Sequence, residues 1–429
     1  MSERYRHSEE LLARALRTIP LGSQTFSKSL TQYPRGVSPF FIERGQGSRV
    51  WDVDDNEYID FVNGLLAVSL GYNDPDVNAA VSAQLGHGVT FSLPHRLEME
   101  VAERLVEVVP AAEMVRFGKN GTDATSAAVR LARAHTGRAH VAVCGYHGWQ
   151  DWYIGSTSRN LGVPDATRAL THRFNYNDAS SLEAVFDENP DSVAAVIMEP
   201  MNLHWPADGF LEAVRDIAHD HGALLIFDEI ITGCRFALGG AQTVFGVTPD
   251  LCTFGKGLAN GLPLSAVMGR RDVMRLMEEV FLSGTFGGET LALAAAMAVL
   301  DKLQREPVIE TLAARGTEIL DGLGALIDRH DLGGIFETAG HPSWSFLVVR
   351  DVPSVSPWEI RTLLLQELFA RGILCLGSHN LSYAHSVQDV ETLLETYGEV
   401  LPMIGEAVSS GAVKDRLRAD PLVPLFQVR

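Results

Sequence analysis

Lys256 stands between two glycines in Phe254-Gly255-Lys256-Gly257, 28 residues after Asp228. Asp228 lies near the end of the apolar run Leu224-Leu225-Ile226-Phe227-Asp228-Glu229, which reads as a buried strand. A deprotonated lysine amine condenses with aldehydes, and an apolar pocket lowers its pKa toward that state. Once released, the same amine can act as a base for a 1,3-proton shift. A carboxylate in an apolar strand is costly without a partner, and a protonated pyridine nitrogen would be such a partner. A Schiff-base lysine and a pyridinium-holding aspartate are the minimum set for pyridoxal 5′-phosphate (PLP) chemistry. Each residue also has a plainer reading, as a loop lysine in a glycine-rich turn or as a helix cap or ion-pair aspartate. The chain has five lysines against thirty arginines, which makes Lys256 less of an incidental surface charge.

Three further segments could complete such a site. Gly118-Lys119-Asn120-Gly121-Thr122-Asp123-Ala124 joins a strand to a helix. Free amides at the positive helix end, together with the Thr122 hydroxyl, could hold a phosphate, and an ordinary N-cap would use the same residues. Lys119 reads either as a second phosphate contact or as a solvated loop charge. Gly145-Tyr146-His147-Gly148-Trp149 follows another strand, so the Tyr146 ring could stack on a cofactor or simply pack in an aromatic turn. His147 would support that stack, contact substrate, or be purely structural. Ile230 could pack on the other ring face or belong to the core. Ser283-Gly284-Thr285-Phe286-Gly287-Gly288 reads as another phosphate donor or as a flexible connector.

The elements that position these residues alternate. Strands at Val115–Gly118, Val141–Val143, Ser192–Met198 and Ala223–Phe227 are interleaved with helices at about Thr122–Thr136 and Leu211–His219. That alternation predicts a mostly parallel sheet between helices, an α/β fold, over residues 71–315. Residues 1–70 read as an N-terminal arm with a helix at Ser8–Thr18, a loop at Pro20–Ser29, and strands at Ser48–Val53 and Glu57–Val62. Residues 316–429 read as a smaller α+β domain with strands at Ser345–Val349 and Ile373–Leu376 and helices at Pro357–Arg371 and Val387–Val400.

Composition narrows the classes. At 46% apolar and 21% charged residues, the chain is globular in type. No apolar run reaches membrane-span length, and the polar N-terminus reads as lacking a secretion signal. Cys144, Cys234, Cys252 and Cys375 lie far apart, as expected for reduced cytoplasmic thiols. The fourteen histidines show no ligand spacing, so no metal site is expected. A net charge of −19 disfavours nucleic acid and anionic membranes and suits a cationic small molecule.

Trp51-Asp52-Val53-Asp54, Asn120-Gly121-Thr122-Asp123-Ala124, Tyr146-His147-Gly148, Glu199-Pro200, Phe227-Asp228-Glu229-Ile230, Gly255-Lys256 and Ser283-Gly284-Thr285 together resemble the class III (subgroup II) aminotransferases of fold type I. Within them, the set is similar to the branch containing glutamate-1-semialdehyde aminomutase. The resemblance implies a PLP-binding large domain with a seven-stranded type of sheet. It implies that Lys256 forms the internal Schiff base, Asp228 pairs with the pyridinium and Tyr146 stacks on the ring. Gly121 and Thr122 would bind the phosphate, with Asn120, His147 and Ile230 also in the cofactor-binding set. Glu199 would be a cofactor-side acid. Thr285 would reach the phosphate of a neighbouring subunit, which implies a homodimer with shared sites.

The chain also departs from the aminomutase pattern. It lacks a tryptophan in Val62-Asn63-Gly64-Leu65-Leu66, lacks the substrate-facing arginine in the loop Ser23–Lys28, and reads Gly288-Glu289-Thr290 where the family has Gly-Asn-Pro. Gly-Ser-Gln-Thr-Phe-Ser-Lys at 22–28, Tyr146–Trp152 and Gly377-Ser378-His379-Asn380 resemble homologues from amino-sugar and aminoglycoside biosynthesis. Trp149, Trp152 and His204-Trp205 fit a sugar-like ring, with core packing the plainer reading of each because most aromatic residues are structural. The expected activity is therefore transfer of an amino group from a donor such as glutamate to a sugar or aminoglycoside-type carbonyl. An aminomutase or epimerase with the same cofactor is the alternative. A cofactor-binding protein without activity is disfavoured by the presence of Lys256, Asp228 and Tyr146 together.

Overall fold

The computed structural model describes residues 3–353 and 355–423. They divide into two units: Pro75–Ile309, and the residues up to Asp74 together with those from Glu310 onward. The first and last segments of the sequence reading thus fold as one unit. The boundary expected at 315 falls inside a continuous helix, Val308–Arg329.

The larger unit is built on seven strands: β1 (Met114–Gly118), β2 (His140–Cys144), β3 (Thr171–Arg173), β4 (Val193–Met198), β5 (Leu224–Asp228), β6 (Leu251–Phe254) and β7 (Ser265–Gly269). Their spatial order is β1-β7-β6-β5-β4-β2-β3. Only β7 runs against its neighbours, β1 and β6. The other six strands share one direction, so Gly118, Cys144, Met198, Asp228 and Phe254 all end at the same edge of the sheet. β4 and β5 are buried at every residue, as strands covered on both faces must be.

The Gly121–Thr136 helix covers this sheet with a small-residue face of Ala124, Ala127, Ala128 and Ala132, packed with Val129 and Leu131 around Val141, Ile197 and Ile226. Asp123 fixes its start by accepting from the amides of Lys119 (3.0 Å) and Asn120 (2.8 Å). Gly137, left-handed at φ 68°, ends it. The alanine-rich stretch near 291–300 is the buried helix Thr290–Arg305, capped by Glu289.

In the other unit, Ile42–Gln46, Arg49–Asp52 and Glu57–Asp60 form an antiparallel meander. Ile373–Leu374 adds to it in parallel, pairing Ile373 with Ile59. This pairing, and a core of Val50, Tyr58, Leu365, Phe369 and Leu374, joins the two ends of the chain. A second antiparallel sheet pairs Phe336–His341, Trp344–Val349 and Ser378–Asn380. The N-terminal helix is Arg6–Ala15, short of the expected Thr18, and the 20–29 loop contains two 3-10 turns, Pro20–Gly22 and Phe26–Lys28. Asn63, Gly64, Leu65 and Leu66 are all left-handed, with φ from 51° to 70°. The Asp60 carboxylate holds this turn by accepting from the amides of Val62 and Asn63 and from the Tyr72 hydroxyl at 2.6 Å. Among the described residues, no helix is long and apolar enough to cross a membrane.

Candidate active site

The carboxyl edge of a parallel sheet is where α/β folds gather ligands, because strand ends and helix starts meet there. Asp228 ends β5, and its register partner on β6 is Thr253, three residues before Lys256. Asp228 is buried. Its Oδ2 accepts from His147 Nδ1 at 2.8 Å, and its Oδ1 accepts from the Ile230 amide (3.1 Å) and the Thr253 hydroxyl (3.2 Å). Three donors converge on one carboxylate, which suits an ionised group.

His147 is held from several sides. Its carbonyl accepts from the Thr125 hydroxyl at 2.8 Å, and its ring lies parallel to Trp152 and edge-on to Tyr153. Its Nε2 is buried without a hydrogen-bond partner. Tyr146 is half-exposed and meets Tyr153 edge-on. The amide of Tyr146 donates to Glu199 Oε2 at 2.9 Å, and Asn202 Nδ2 donates to the same oxygen. Gly145, at φ 107°, leaves room for that carboxylate. Glu199 therefore fixes the backbone that carries the Tyr146 ring.

The phosphate candidates lie at the same edge. Thr122 is buried, and its Oγ1 has no hydrogen-bond partner. Gly148, at φ 105°, passes so close that an added Cβ would come within 2.6 Å of Thr122 Cβ. Ile230 packs between two backbone segments, since a Cβ on either Gly121 or Gly255 would meet it at 3.1 Å. That contact brings the start of the Gly121–Thr136 helix next to the residue preceding Lys256. Lys256 is left-handed at φ 42°, a conformation that non-glycine residues adopt mainly where the surroundings impose it. A buried hydroxyl in need of a partner, at the amide end of a sixteen-residue helix, is what a phosphate group would satisfy.

The family model described as Aminotransferase class-III matches residues 32–380. The chain is a class III aminotransferase. It is 34% identical over 413 residues to the 3-aminobutyryl-CoA aminotransferase of Cloacimonas acidaminovorans (strain Evry), covering 92% of this chain and 98% of that protein. It is 36% identical over 398 residues to the glutamate-1-semialdehyde 2,1-aminomutase of Syntrophobacter fumaroxidans (strain DSM 10017 / MPOB), covering 86% of this chain and 92% of that protein. Among solved structures it is similar to the FumI protein of Sphingopyxis sp. MTA144 in its PLP internal aldimine form, with TM-score 0.87 and 31% identity over 97% of this chain and 99% of that one. The fold is that of the fold type I PLP transaminases, and PLP is the cofactor of this aminotransferase.

One open reading is decided and one sequence expectation changes. Trp152 is buried with its indole N–H on Ser126 Oγ, so it belongs to the packing behind His147 and offers no ring to a substrate. Lys119 is not a solvated loop charge: its Nζ lies 3.0 Å from Glu289 Oε2 with both side chains largely buried. Asn120 is exposed at the helix start, and Thr285 is exposed within a turn. Thr253, Thr125 and Asn202 were not singled out from sequence. Thr253 could have been found only by knowing the β5–β6 register, since a buried threonine in an apolar strand carries no signal of its own.

Proposed function

We propose that this aminotransferase moves an amino group from a donor such as glutamate to the carbonyl of a sugar or aminoglycoside-type acceptor. In such acceptors the amine-bearing carbon is not α to a carboxylate. The 3-aminobutyryl-CoA of the relative's name also carries its amine away from the α position, which supports that wider class. The observation that carries the narrower reading is exposed aromatic surface in the Tyr146 loop. Trp149, 66% exposed, stands three residues from the 39%-exposed Tyr146, and Trp205 is also exposed. Open aromatic faces suit the C–H face of a sugar ring, and a net charge of −19 suits a polycationic acceptor.

PLP, when bound, supplies the aldehyde that takes up the amino group and an electron-withdrawing ring. The chain's residues do the rest. The Thr122 hydroxyl and the amides of Gly121 and Thr122 hold the phosphate, with Asn120 shaping the turn. Asp228 keeps a proton on the ring nitrogen, and His147 and Thr253 orient Asp228. Tyr146 and Ile230 cover the two ring faces, and Glu199 holds Tyr146 in place. Lys256 Nζ would hold the cofactor through its aldehyde, and its amine would serve as the base that moves a proton at the substrate's amine-bearing carbon. Thr285 serves the phosphate of a second subunit. Exposed Phe91, Leu93, Phe281 and Phe286 support a homodimer around it, since the Thr290 amide bonds Val89 and brings these two stretches together. Four unpaired cysteines fit a cytoplasmic location.

The second reading is an isomerase that returns the amine to its own substrate, favoured by 36% identity to a glutamate-1-semialdehyde 2,1-aminomutase. A half-reaction separates them. Glutamate, an amino sugar or an aminoglycoside is added to the holoenzyme while the visible cofactor band and released carbonyl product are followed. Lasting bleaching with stoichiometric carbonyl supports transfer. A band that returns, with solvent deuterium in the amine and no carbonyl released, supports isomerisation. Response to glutamate but to no ring-borne amine would refute the proposed acceptor class.

A further inference from the structure

Glu289 performs two tasks with one carboxylate. It caps the Thr290–Arg305 helix, accepting from the amides of Leu291 (2.7 Å) and Ala292 (3.2 Å). Its Oε2 also takes the Lys119 ammonium at 3.0 Å. Lys119 is anchored at its other end, since its amide donates to Asp123 Oδ2 beside the Asn120 amide. Thus the residue that opens the Gly121–Thr136 helix reaches across to the N-cap of Thr290–Arg305. The turn holding Thr285 runs directly into that cap, through Gly287 N to Gly284 O (3.0 Å) and Glu289 N to Phe286 O (3.2 Å). It is close-packed there, because a Cβ on Gly288 would strike the Glu98 carboxylate.

The side chains of Lys119 and Glu289 are only 18% and 13% exposed, so water screens them poorly. A carboxylate near a phosphate is repulsive unless neutralised, and a lysine already paired with that carboxylate is not a free phosphate ligand. We propose that Lys119 and Glu289 are a positioning pair for the cofactor phosphate. Lys119 cancels the Glu289 charge and ties the Gly118–Thr122 loop to the Thr285 turn, without itself binding the phosphate. This rests on the phosphate lying at Gly121–Thr122.

The arrangement makes the two single substitutions unequal. Lys119→Met leaves the Glu289 carboxylate on its helix cap but without its counter-ion near a dianion. Glu289→Gln keeps a cap and frees Lys119 to attract the phosphate. The test is equilibrium dialysis of PLP, and of pyridoxal, which lacks the phosphate, against the cofactor-free full chain. Lys119→Met should weaken PLP on the order of ten-fold but pyridoxal by less than about two-fold. Glu289→Gln should bind PLP at least as well as the wild type. Lys119→Met/Glu289→Gln should return most of the loss, and Lys119→Arg should lose little. Equal losses for both ligands, or a double variant as weak as Lys119→Met, would overturn the proposal. A weakened Thr122→Ala beside an unchanged Lys119→Met would overturn the ion pair's role alone. A Thr122→Ala that binds PLP like the wild type would remove the phosphate site and the proposal with it.

Discussion

Gly148→Ala is the sharpest probe of the cofactor cradle. At φ 105° the Gly148 backbone lies where L-residues are strained, at a cost of about 1–3 kcal/mol. The added methyl would also lie 2.6 Å from Thr122 Cβ and press on Thr122 Oγ1, and overpacking of this kind costs about 1–3 kcal/mol. The sum, about 2–6 kcal/mol, can be relieved by moving the loop or by turning Thr122 aside. Turning Thr122 withdraws the buried hydroxyl that lacks a partner at the helix start. A hydrogen bond to a charged group contributes about 1.5–3 kcal/mol, so PLP affinity should fall about 10- to 150-fold. The natural comparison is Gly137→Ala at the other end of the same helix. Gly137 is also left-handed, at φ 68°, but a Cβ there meets nothing within 4 Å. It should lower stability by about 1 kcal/mol and leave PLP affinity unchanged. Both variants are read by PLP titration of the cofactor-free protein and by thermal unfolding. If Gly148→Ala binds PLP like the wild type, or if Gly137→Ala loses as much, the cradle is wrong.

Further outcomes follow from other sites. Thr253→Val removes one of three donors to Asp228 and should lower kcat several-fold with little change in KM, whereas unchanged kinetics would mean the hydroxyl is idle. Lys256→Ala should lose the visible cofactor band and all half-reaction response, and a response that persisted would sink the Schiff-base assignment. His379 is fully buried between Ser345 Oγ (3.0 Å) and Tyr397 OH (2.9 Å), and burial lowers its pKa to about 3. Its folded value lies below its unfolded value of about 6.5, so its contribution to stability is present above that pH and is lost as pH falls toward 3. Between pH 7 and pH 5 the loss from this one group is about 2 kcal/mol. Denaturant titrations at both pH values, with His379→Gln as the control that flattens the slope, check it.

Much of the candidate site was legible because the chemistry proposed for it needs rare residue types in telling places. A lysine between glycines and an aspartate at the end of an apolar strand stand out in any chain. What the sequence did not carry was lateral neighbourhood. Nothing local says that Ser265–Gly269 inserts antiparallel between the Met114–Gly118 and Leu251–Phe254 strands, or that Thr253 sits beside Asp228. Trp152 stayed open between a substrate-facing ring and the core because aromatic residues in a site loop face either way, and its indole partner Ser126 lies on a different element. Lys119 looked solvated because its partner is 170 residues away. The segments 1–70 and 316–429 read as separate because what joins them, the pairing of Ile59 with Ile373 and a core shared by Val50, Tyr58, Leu365 and Phe369, links residues about three hundred positions apart.

That pairing has a consequence for the newborn chain. Residues up to Asp74 are made before the larger unit but cannot complete their sheet or their core until residues beyond Glu310 follow. The 235 residues of Pro75–Ile309 take roughly 10–50 s to translate at about 5–20 residues per second. Throughout that interval the Glu57–Asp60 strand edge and the apolar side chains of Val50, Tyr58 and Ile59 wait without their partners. The contiguous larger unit has no such wait and can close as soon as it emerges. Synthesis therefore imposes an order on folding, in which the segment up to Asp74 is made before the larger unit and finished after it. Its open edge is the segment of the nascent polypeptide most in need of a chaperone.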